Sequence, residues 1–452
     1  MSDDFLRRRR LLAATLGAAA AIPLTAACAT AEPDDPQFRS PTTDAPGARN
    51  VRDFGAVGDG IADDTKALAA AVAADPNGPL VLYLPAGHYR VESMPDLPDY
   101  ATILGDGADV TTIVYAGNGT LVRLRKRSRV RFARLGIFTT GPGSTAVELS
   151  ECFRCSFDAV VLRGNHLSDN HPQYLTQRGV VLRDNTGGTA FINCDINNFG
   201  IGLTTSCIQN YVTSSKFTSN HTGVLGTGND HNAGLALTNV EFVSDQNPLT
   251  TDRHLRVDGA ANDWWLTNVW FEGAEVALSV GENGRGGPAQ FGMVNAKVAA
   301  RSVGLELNYC RQPYLANVIF DAESRPPGIP VRVDQAGCPE GTAVGLISGI
   351  TDDIPDGVFP AGWTVIGRKG MRTPRFTGTV VSQAGPHGAD VFQAQNSDGA
   401  VRAAVTADGS WVCEHADNGP VLKAPDGGYW RLTVSDDGKL GTVALGRKRP
   451  GG

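Results

Sequence analysis

From about residue 190 to residue 322 the chain repeats a short pattern of alternating apolar and polar positions. The segments FINCDINNF, YVTSSKFTS, LALTNVEFVS, WWLTNVWFEG, FGMVNAKVAA and PYLANVIFDAE align so that Asn193, Ser214, Asn239, Asn268, Asn295 and Asn317 share one position. These positions lie 21 to 29 residues apart, the period of a solenoid. Several are followed by a strand-like alternation, Val240 and Phe242, Val269 and Phe271, Val318 and Phe320, which turns one set of side chains inward. A second short strand separates successive repeats, as at Ile201-Gly202-Leu203, Leu255-Arg256-Val257 and Val276-Ala277-Leu278. The pattern predicts a coil. Each turn lays two or three strands on the next, inward aliphatics stack into a continuous core, and backbone bonds run between turns about 4.8 Å apart. The recurrent asparagine is expected to form an internal ladder at a bend, each amide bonding the one a coil further on, in left-handed geometry that asparagine tolerates. Less regular coils precede it at Ala101 to Ala116, Leu121 to Phe138 and Ala146 to Val161. The last falls near Val331 to Ile350, about ten coils in all.

The two ends break this pattern. Residues 51 to 92 read VRDFGAVGDGIADDTKALAAAVAADPNGPLVLYLPAGHYRVE. A Gly-rich turn leads to Asp63-Asp64-Thr65, whose oxygens can cap a helix, and then to an alanine-rich run with high helix propensity. That helix is expected to cover the open edge of the first coil. Asp53, Asp59, Asp63 and Asp64 read as caps and turn formers. After about residue 370, Asp398-Gly399, Asp408-Gly409, Asp426-Gly427 and Asp437-Gly438 separate short alternating strands, which are hairpin signals. This small module could cap the far end, hold three copies together as a homotrimer, or bind glycan. Its Trp411, Tyr429 and Trp430 are expected to be mostly its core.

Residues 1–31 read as a targeting segment. Arg7-Arg8-Arg9-Arg10-Leu11-Leu12 fits a twin-arginine signal, and the apolar run after it is short for a membrane span. Two exits stay open: cleavage after Ala29-Thr30-Ala31, or lipidation at Cys28 in Leu24-Thr25-Ala26-Ala27-Cys28, the one route to a membrane. Either places the mature protein outside the cytoplasm, extracellular or at the cell surface. The organisation is then a signal at 1–31, a Pro/Asp/Thr-rich linker at 32–50, the coil with its cap at 51–365 and the hairpin module at 371–450.

Charge narrows the partners. The net charge is -7, about -9 without the four arginines and two aspartates of residues 1–31. This is no footprint for nucleic acid, and it favours neutral or cationic glycans over polyuronates. Of eight cysteines, Cys152 and Cys155 have no second pair at zinc-ligand spacing. Buried small-residue positions explain most of the others, and a disulfide between Cys310 and Cys338 is open.

The words DFGAVGDGIADDTKAL and LYLPAGHYRV resemble the N-terminal motif of the pectate lyase superfamily, in its rhamnogalacturonase/epimerase-like branch. The resemblance implies an all-β fold, a right-handed single-stranded parallel β-helix (solenoid) with an N-terminal capping helix, and polysaccharide as partner. It does not carry a mechanism. The Asn-Thr-Asp, Gly-His-Gly and Arg-Ile-Lys motifs of polygalacturonase-like hydrolases are missing, as is the Asp-Pro-His of alginate-epimerase-like relatives.

Candidate chemistry follows from the repeat alignment. With Val240, Phe242, Val269 and Phe271 inward, Glu241, Trp270 and Glu272 point outward. Glu241 lies one coil before Trp270, and Glu272 two residues further along. One rung and two residues place the carboxylates on the order of 8 Å apart at the backbone, within the range of inverting glycoside hydrolysis. Asp321 falls in the column of Glu272, and Asp195 in that of Glu241. Trp270 could stack on a sugar ring. The expected activity is therefore hydrolysis of a polysaccharide by two carboxylates, with no cofactor. One alternative is a lyase: His231 or His254 takes a proton beside a uronate carboxylate, Arg253 neutralises it, and Ca2+ could assist. Asp230 belongs to the same loop clusters, and the inserted loop at 163–174 offers His166 and Tyr174 as substrate contacts. The other alternative is a glycan-binding adhesin or tailspike-like protein without catalysis.

Overall fold

Parallel backbone bonding between successive turns organises the chain from Arg49 to Ile366. The computed structural model describes residues 47–75, 80–207, 209–227, 233–323, 328–349, 354, 356–366, 382, 390–396 and 400–450. The signal at 1–31, all but the end of the 32–50 linker, Asp230, His231 and Asp398-Gly399 lie outside the described residues. The chain divides into two units, Met1–Thr377 and Gly378–Gly452.

In the first unit each full turn contributes to three faces. The first runs through Val81–Leu84 and Thr102–Gly105, and later through Asn210–Thr213, Leu235–Thr238 and Trp264–Thr267, to Gly362–Ile366. The second includes Asp195–Asn197, Lys216–Thr218, Glu241–Val243 and the start of Trp270–Val280. The third includes Arg178–Arg183, Ile201–Thr205, Thr222–Thr227 and Arg253–Asp258. All these pairings are parallel, which makes the unit a β-solenoid. It runs past the expected last coil: Gly362–Ile366 stacks on Glu340–Val344. It also starts earlier, since Arg49–Asn50, in the stretch read as linker, already pairs with Leu82 and Tyr83.

The bend between the first and second faces carries the repeat's signature residue. Asn193, Asn239, Asn268, Asn295 and Asn317 have φ from 52° to 55°, and Ser214 has 50°. This left-handed conformation, disfavoured for most side chains, is why asparagine recurs. The ladder is external, not internal. Asn268 Nδ2 donates to Asn239 Oδ1 at 3.1 Å and Asn317 Nδ2 to Asn295 Oδ1 at 3.2 Å, and all four side chains are exposed. The inside of the bend is apolar, so the amides turn to the wet side. Two other asparagines are buried between turns. Asn220 accepts from Phe199 N at 2.9 Å and donates to Ile196 O at 2.7 Å. Asn210 does the same between Thr189 N and Thr186 O, at 3.0 and 3.1 Å.

Inward phenylalanines stack ring on ring, Phe132–Phe157–Phe191 and Phe217–Phe242–Phe271, with centroids 4.8 to 5.2 Å apart. The rung spacing itself sets that distance. Cys152, Cys155, Cys194, Cys207, Cys310 and Cys338 are buried with free thiols. Cys310 and Cys338 therefore form no disulfide, and fill core positions as small apolar groups.

The capping helix, Thr65–Ala73, buries Ala67, Leu68 and Ala71. Asp63 Oδ1 accepts from Thr65 N at 3.1 Å. Asp64 does not cap the helix; its buried carboxylate accepts from Val57 N at 2.7 Å and Gly58 N at 3.1 Å, fixing the Gly-rich turn. At the other end, Arg49 donates to the carbonyls of Ala71 and Val72 at 2.9 and 3.0 Å, satisfying acceptors the helix itself leaves open.

The second unit contains two antiparallel three-stranded sheets, Phe392–Gln395 with Val401–Val405 and Trp411–Cys413, and Val421–Lys423 with Tyr429–Val434 and Leu440–Gly446. Gly409, Gly427 and Gly438 take positive φ at the Asp-Gly turns. Trp411 is 78% exposed and Trp430 39%, so these rings are not the module's core. Among its described residues only Ala404 is a buried apolar side chain.

Phe242 sits in the middle of its stack, so Phe242→Ala is expected to destabilise the solenoid by about 3–5 kcal/mol. Urea unfolding followed by circular dichroism checks this; a change under about 1 kcal/mol would show that neighbouring rings collapse into the gap.

Candidate functional site

On the second face, register puts Asp195, Lys216, Glu241, Trp270 and Lys297 in one outward column. Glu272 pairs with Val243, so it lies one rung and two residues from Glu241, and Asp321 pairs with Ala299. The expected carboxylate geometry is present at the backbone. The side chains, however, alternate in charge. Lys216 Nζ lies 3.5 Å from Glu241, and Lys297 Nζ lies 3.6 Å from Asp321 and 4.5 Å from the centre of the Trp270 ring. One face of Trp270 is thus covered by an ammonium group. Burial raises the Asp195 carboxyl above its ordinary range. Exposed pairs of this kind contribute about 0–1 kcal/mol each.

A denser set of titratable groups lies where the second face bends into the third. The loop between Arg163 and Arg178 rises from this bend and is pinned by Gln177, which is fully buried. Gln177 Nε2 donates to Thr139 O, Gly141 O and Ser144 Oγ at 2.9 to 3.1 Å, and its Oε1 accepts from Asn165 N at 2.8 Å. Within the loop Asn170 Nδ2 donates to Asn165 O at 2.6 Å. His166 N donates to Asn198 O at 2.7 Å, and Asn198 Nδ2 returns a bond to His166 O at 3.1 Å. The loop brings His166 and His171 to His221, two turns further on. Ring centroids are 5.6 Å apart for His166–His221, 5.5 Å for His171–His221 and 6.3 Å for His166–His171.

His166 is completely buried, and its Nε2 donates to Thr250 O at 2.8 Å. In the neutral ring this leaves Nδ1 as the acceptor, and it has no hydrogen-bond partner among the described residues. Burial holds both His166 and His221 below the ordinary histidine range. The next rung follows directly, since Asp252 N and Arg253 N both donate to His221 O, at 3.0 and 3.2 Å. Arg253 pairs with Asp252. Glu275 N donates to Thr251 O, and its carboxylate lies 3.7 Å from Arg301 Nε. Three imidazoles, two carboxylates and two guanidiniums therefore line one bend, with His221, Asp252 and Arg253, Glu275, and Arg301 on four successive rungs.

Of the residues singled out in the sequence, this cluster contains His166 and Arg253. Tyr174 is half-buried on the same loop; Asp230 and His231 lie outside the described residues. His254 is not in a loop. It belongs to the strand Arg253–Asp258 and points inward, 5.7 Å from Phe242 and 6.2 Å from Phe271, with Nε2 donating to Glu272 O at 2.8 Å. Full burial pushes it down to about 4, so it is a core residue that no substrate reaches. His221 and Glu275 escaped the sequence reading, and His171 and Asp252 entered it only as loop residues without a role. Aligning the third-face strands as closely as the asparagine segments would have shown His221, Asp252 and Glu275 at one position before Thr222, Arg253 and Val276. Among the described residues no three His, Cys, Asp or Glu side chains are arranged to hold a metal ion. The acids at the bend face arginines, Asp252 with Arg253 and Glu275 with Arg301.

The solenoid and its cap define a pectate lyase-like right-handed β-helix. A family model, rhamnogalacturonase A/epimerase, pectate lyase-like, matches residues 48–134. Two phage tailspikes share the fold: that of Acinetobacter phage vB_ApiP_P1 at 13% identity and TM-score 0.50, covering 89% of this chain and 80% of that one, and that of Acinetobacter phage vb_AbaP_AS12 at 9% and 0.52, covering 88% and 82%. Curated relatives match over short stretches. Mannuronan C5-epimerase AlgE3 of Azotobacter vinelandii is 45% identical over 80 residues, 17% of this chain and 4% of that protein. Alginate lyase 7 of the same organism is 46% identical over 77 residues, 17% of this chain and 9% of that protein. The chain thus spans under a tenth of either relative.

His254 is neutral when folded and charged in acid when unfolded. Its contribution is complete above about pH 6.5 and is lost as the pH falls toward 4, about 3 kcal/mol in all. Melting temperature is expected to drop over this window in the wild type, and less in His254→Leu. Parallel curves for the two proteins would assign the acid sensitivity elsewhere.

Proposed function

We propose that this protein acts on a uronate-containing polysaccharide at the histidine-rich bend, by taking the proton beside the sugar carboxylate. The observation that carries the reading is His221: an imidazole kept unprotonated by burial, grouped with two others, one rung from Arg253. A neutral imidazole is the form a general base needs at neutral pH. Removing the C5 proton places negative charge on the uronate carboxylate, which a guanidinium stabilises. Arg253 supplies it by exchanging Asp252 for the substrate. The carbanion then either expels the C4 oxygen, giving an unsaturated product, or regains a proton from the other face, giving the epimer. His171, on the inserted loop across from His221, suits the second transfer. The kinship of a short stretch to a mannuronan epimerase and an alginate lyase supports this chemistry. The net negative charge argues against polyuronates in general, but the charge at this bend is set locally, with Arg253 and Arg301 beside Asp252 and Glu275. Hydrolysis at Glu241 and Glu272 ranks second, because Glu241 and Asp321 are tied to lysines on an outward sheet face.

The same reading places the protein outside the cytoplasm, exported by the twin-arginine-type segment. Three copies associate through the second unit, whose Trp411, Phe392 and Leu440 stay exposed at 57 to 79%, a liability for a lone chain.

Incubation with mannuronan, alginate and polygalacturonate in D2O separates the mechanisms. Return of a proton puts deuterium at C5, whereas loss of the C4 oxygen gives an ultraviolet-absorbing product with no hydrogen at C5; one of the two is expected, and His221→Ala or Arg253→Ala should lower its rate by about 100-fold or more. New reducing ends without exchange or absorbance, abolished by Glu272→Gln, would move the chemistry to the second face. Light scattering is expected to give three times the chain mass, falling when Trp411 and Leu440 become serine; a monomeric wild type would refute the association.

A further inference from the structure

The outward side of the first face carries a regular series that the bend does not use. Register places Tyr211, Ala236, Trp265, Gly292 and Tyr314 in one column, one residue per turn. Aromatic and small residues alternate. The aromatics are exposed by 46, 46 and 44%, although the core beside them has ample aromatic partners. They recur every second rung, about 9.6 Å at about 4.8 Å per rung, close to the length of an extended disaccharide.

The small residues have a physical purpose. A Cβ at Gly292 would lie 2.6 Å from Cε3 and Cζ3 of Trp265. The indole therefore lies over the next turn, in the space a side chain there would fill, and leaves its other face to solvent. Beside the rings runs a second outward column, with Thr213, Thr238 and Thr267 in register, and beyond it the exposed asparagine ladder. Neither column carries a charged residue between Ala190 and Ala316. This contrasts with Trp270 across the bend, which is covered by Lys297. Flat aromatic platforms at disaccharide spacing, bordered by neutral hydroxyls and amides, match the alternating C–H faces and hydroxyl edges of an extended sugar chain.

We propose that the first face is a second carbohydrate site, a track that holds an extended, equatorially linked polysaccharide parallel to the solenoid axis by stacking on Tyr211, Trp265 and Tyr314. It is separate from the histidine-rich bend and does not require catalysis there. Its role is to retain a long polymer on the protein.

Isothermal titration with cellobiose, cellohexaose and a mannuronan hexasaccharide tests the track. At least one hexasaccharide is expected to bind about tenfold or more tighter than cellobiose, because only the longer chain reaches all three rings. Trp265→Ala should weaken it about tenfold. Gly292→Ala, which keeps the tryptophan but displaces its ring, should also weaken it, and Tyr211→Ala gives an independent reading should either variant melt early. His221→Ala should leave cellohexaose affinity unchanged while it slows C5 proton removal about 100-fold or more, so the two sites fail separately. Absence of hexasaccharide binding, or wild-type affinity in all three track variants, would overturn the proposal. So would a fall in particle mass in Trp265→Ala, which would make the face a contact between copies.

Discussion

Every feature of the solenoid depends on the parallel hydrogen-bond ladder between turns. Because strands in adjacent turns run in the same direction and in register, a residue sits above its counterpart one turn earlier, about 4.8 Å away. A position in the repeat thereby becomes a column in space. Inward columns become the phenylalanine stacks, whose centroid distances match the rung. The bend column must take positive φ in turn after turn, which selects asparagine. Outward columns inherit whatever chemistry the sequence supplies: alternating charge on the second face, alternating ring and gap on the first. Local propensity, core packing and surface chemistry are all set by the same one-dimensional register.

The histidine cluster departs from that regularity. The bend into the third face is where turns are of unequal length, and the longest excursion, between Arg163 and Arg178, carries two of the three clustered histidines. A loop that long would ordinarily be loose. Here one buried glutamine fixes its base to three acceptors on the preceding turn and to the loop's own backbone. The buried polar atoms are matched, and the loop gains the rigidity of the scaffold. Burial beneath it holds His166, at its base, and His221, on the scaffold, below the ordinary histidine range. A solvent-exposed histidine pair would gain nothing of the kind.

Much of the fold was legible in the sequence because the repeat makes it so. The asparagine position, the inward Val and Phe, and the Glu241-to-Trp270 register follow from aligning a few segments. The wet orientation of the asparagine ladder did not follow, because alignment fixes which residues share a column and not which side of the bend they face. His254 was misplaced for a related reason: next to Asp252 and Arg253 it reads as part of a polar loop, whereas strand alternation carries it into the core. The histidine cluster was hidden because its members are far apart in the chain and meet only through an insertion that belongs to no repeat. Gln177, one polar residue among many, has no sequence signal for its burial. Trp411 was assigned to a core that the second unit's described residues do not form.

The seating of Trp265 over Gly292 imposes a parity on the solenoid. Trp265 occupies the space above its neighbouring turn, so that turn must present a hydrogen at the matching position. The period of ring and gap on the first face is therefore two turns, although the structural period is one. Duplicating a single turn would extend the fold without difficulty and yet bring two large rings onto adjacent rungs, or leave a gap of double width. A chain lengthened or shortened with the alternation of ring and gap intact must gain or lose turns in pairs, a rule written in the surface and invisible to the core.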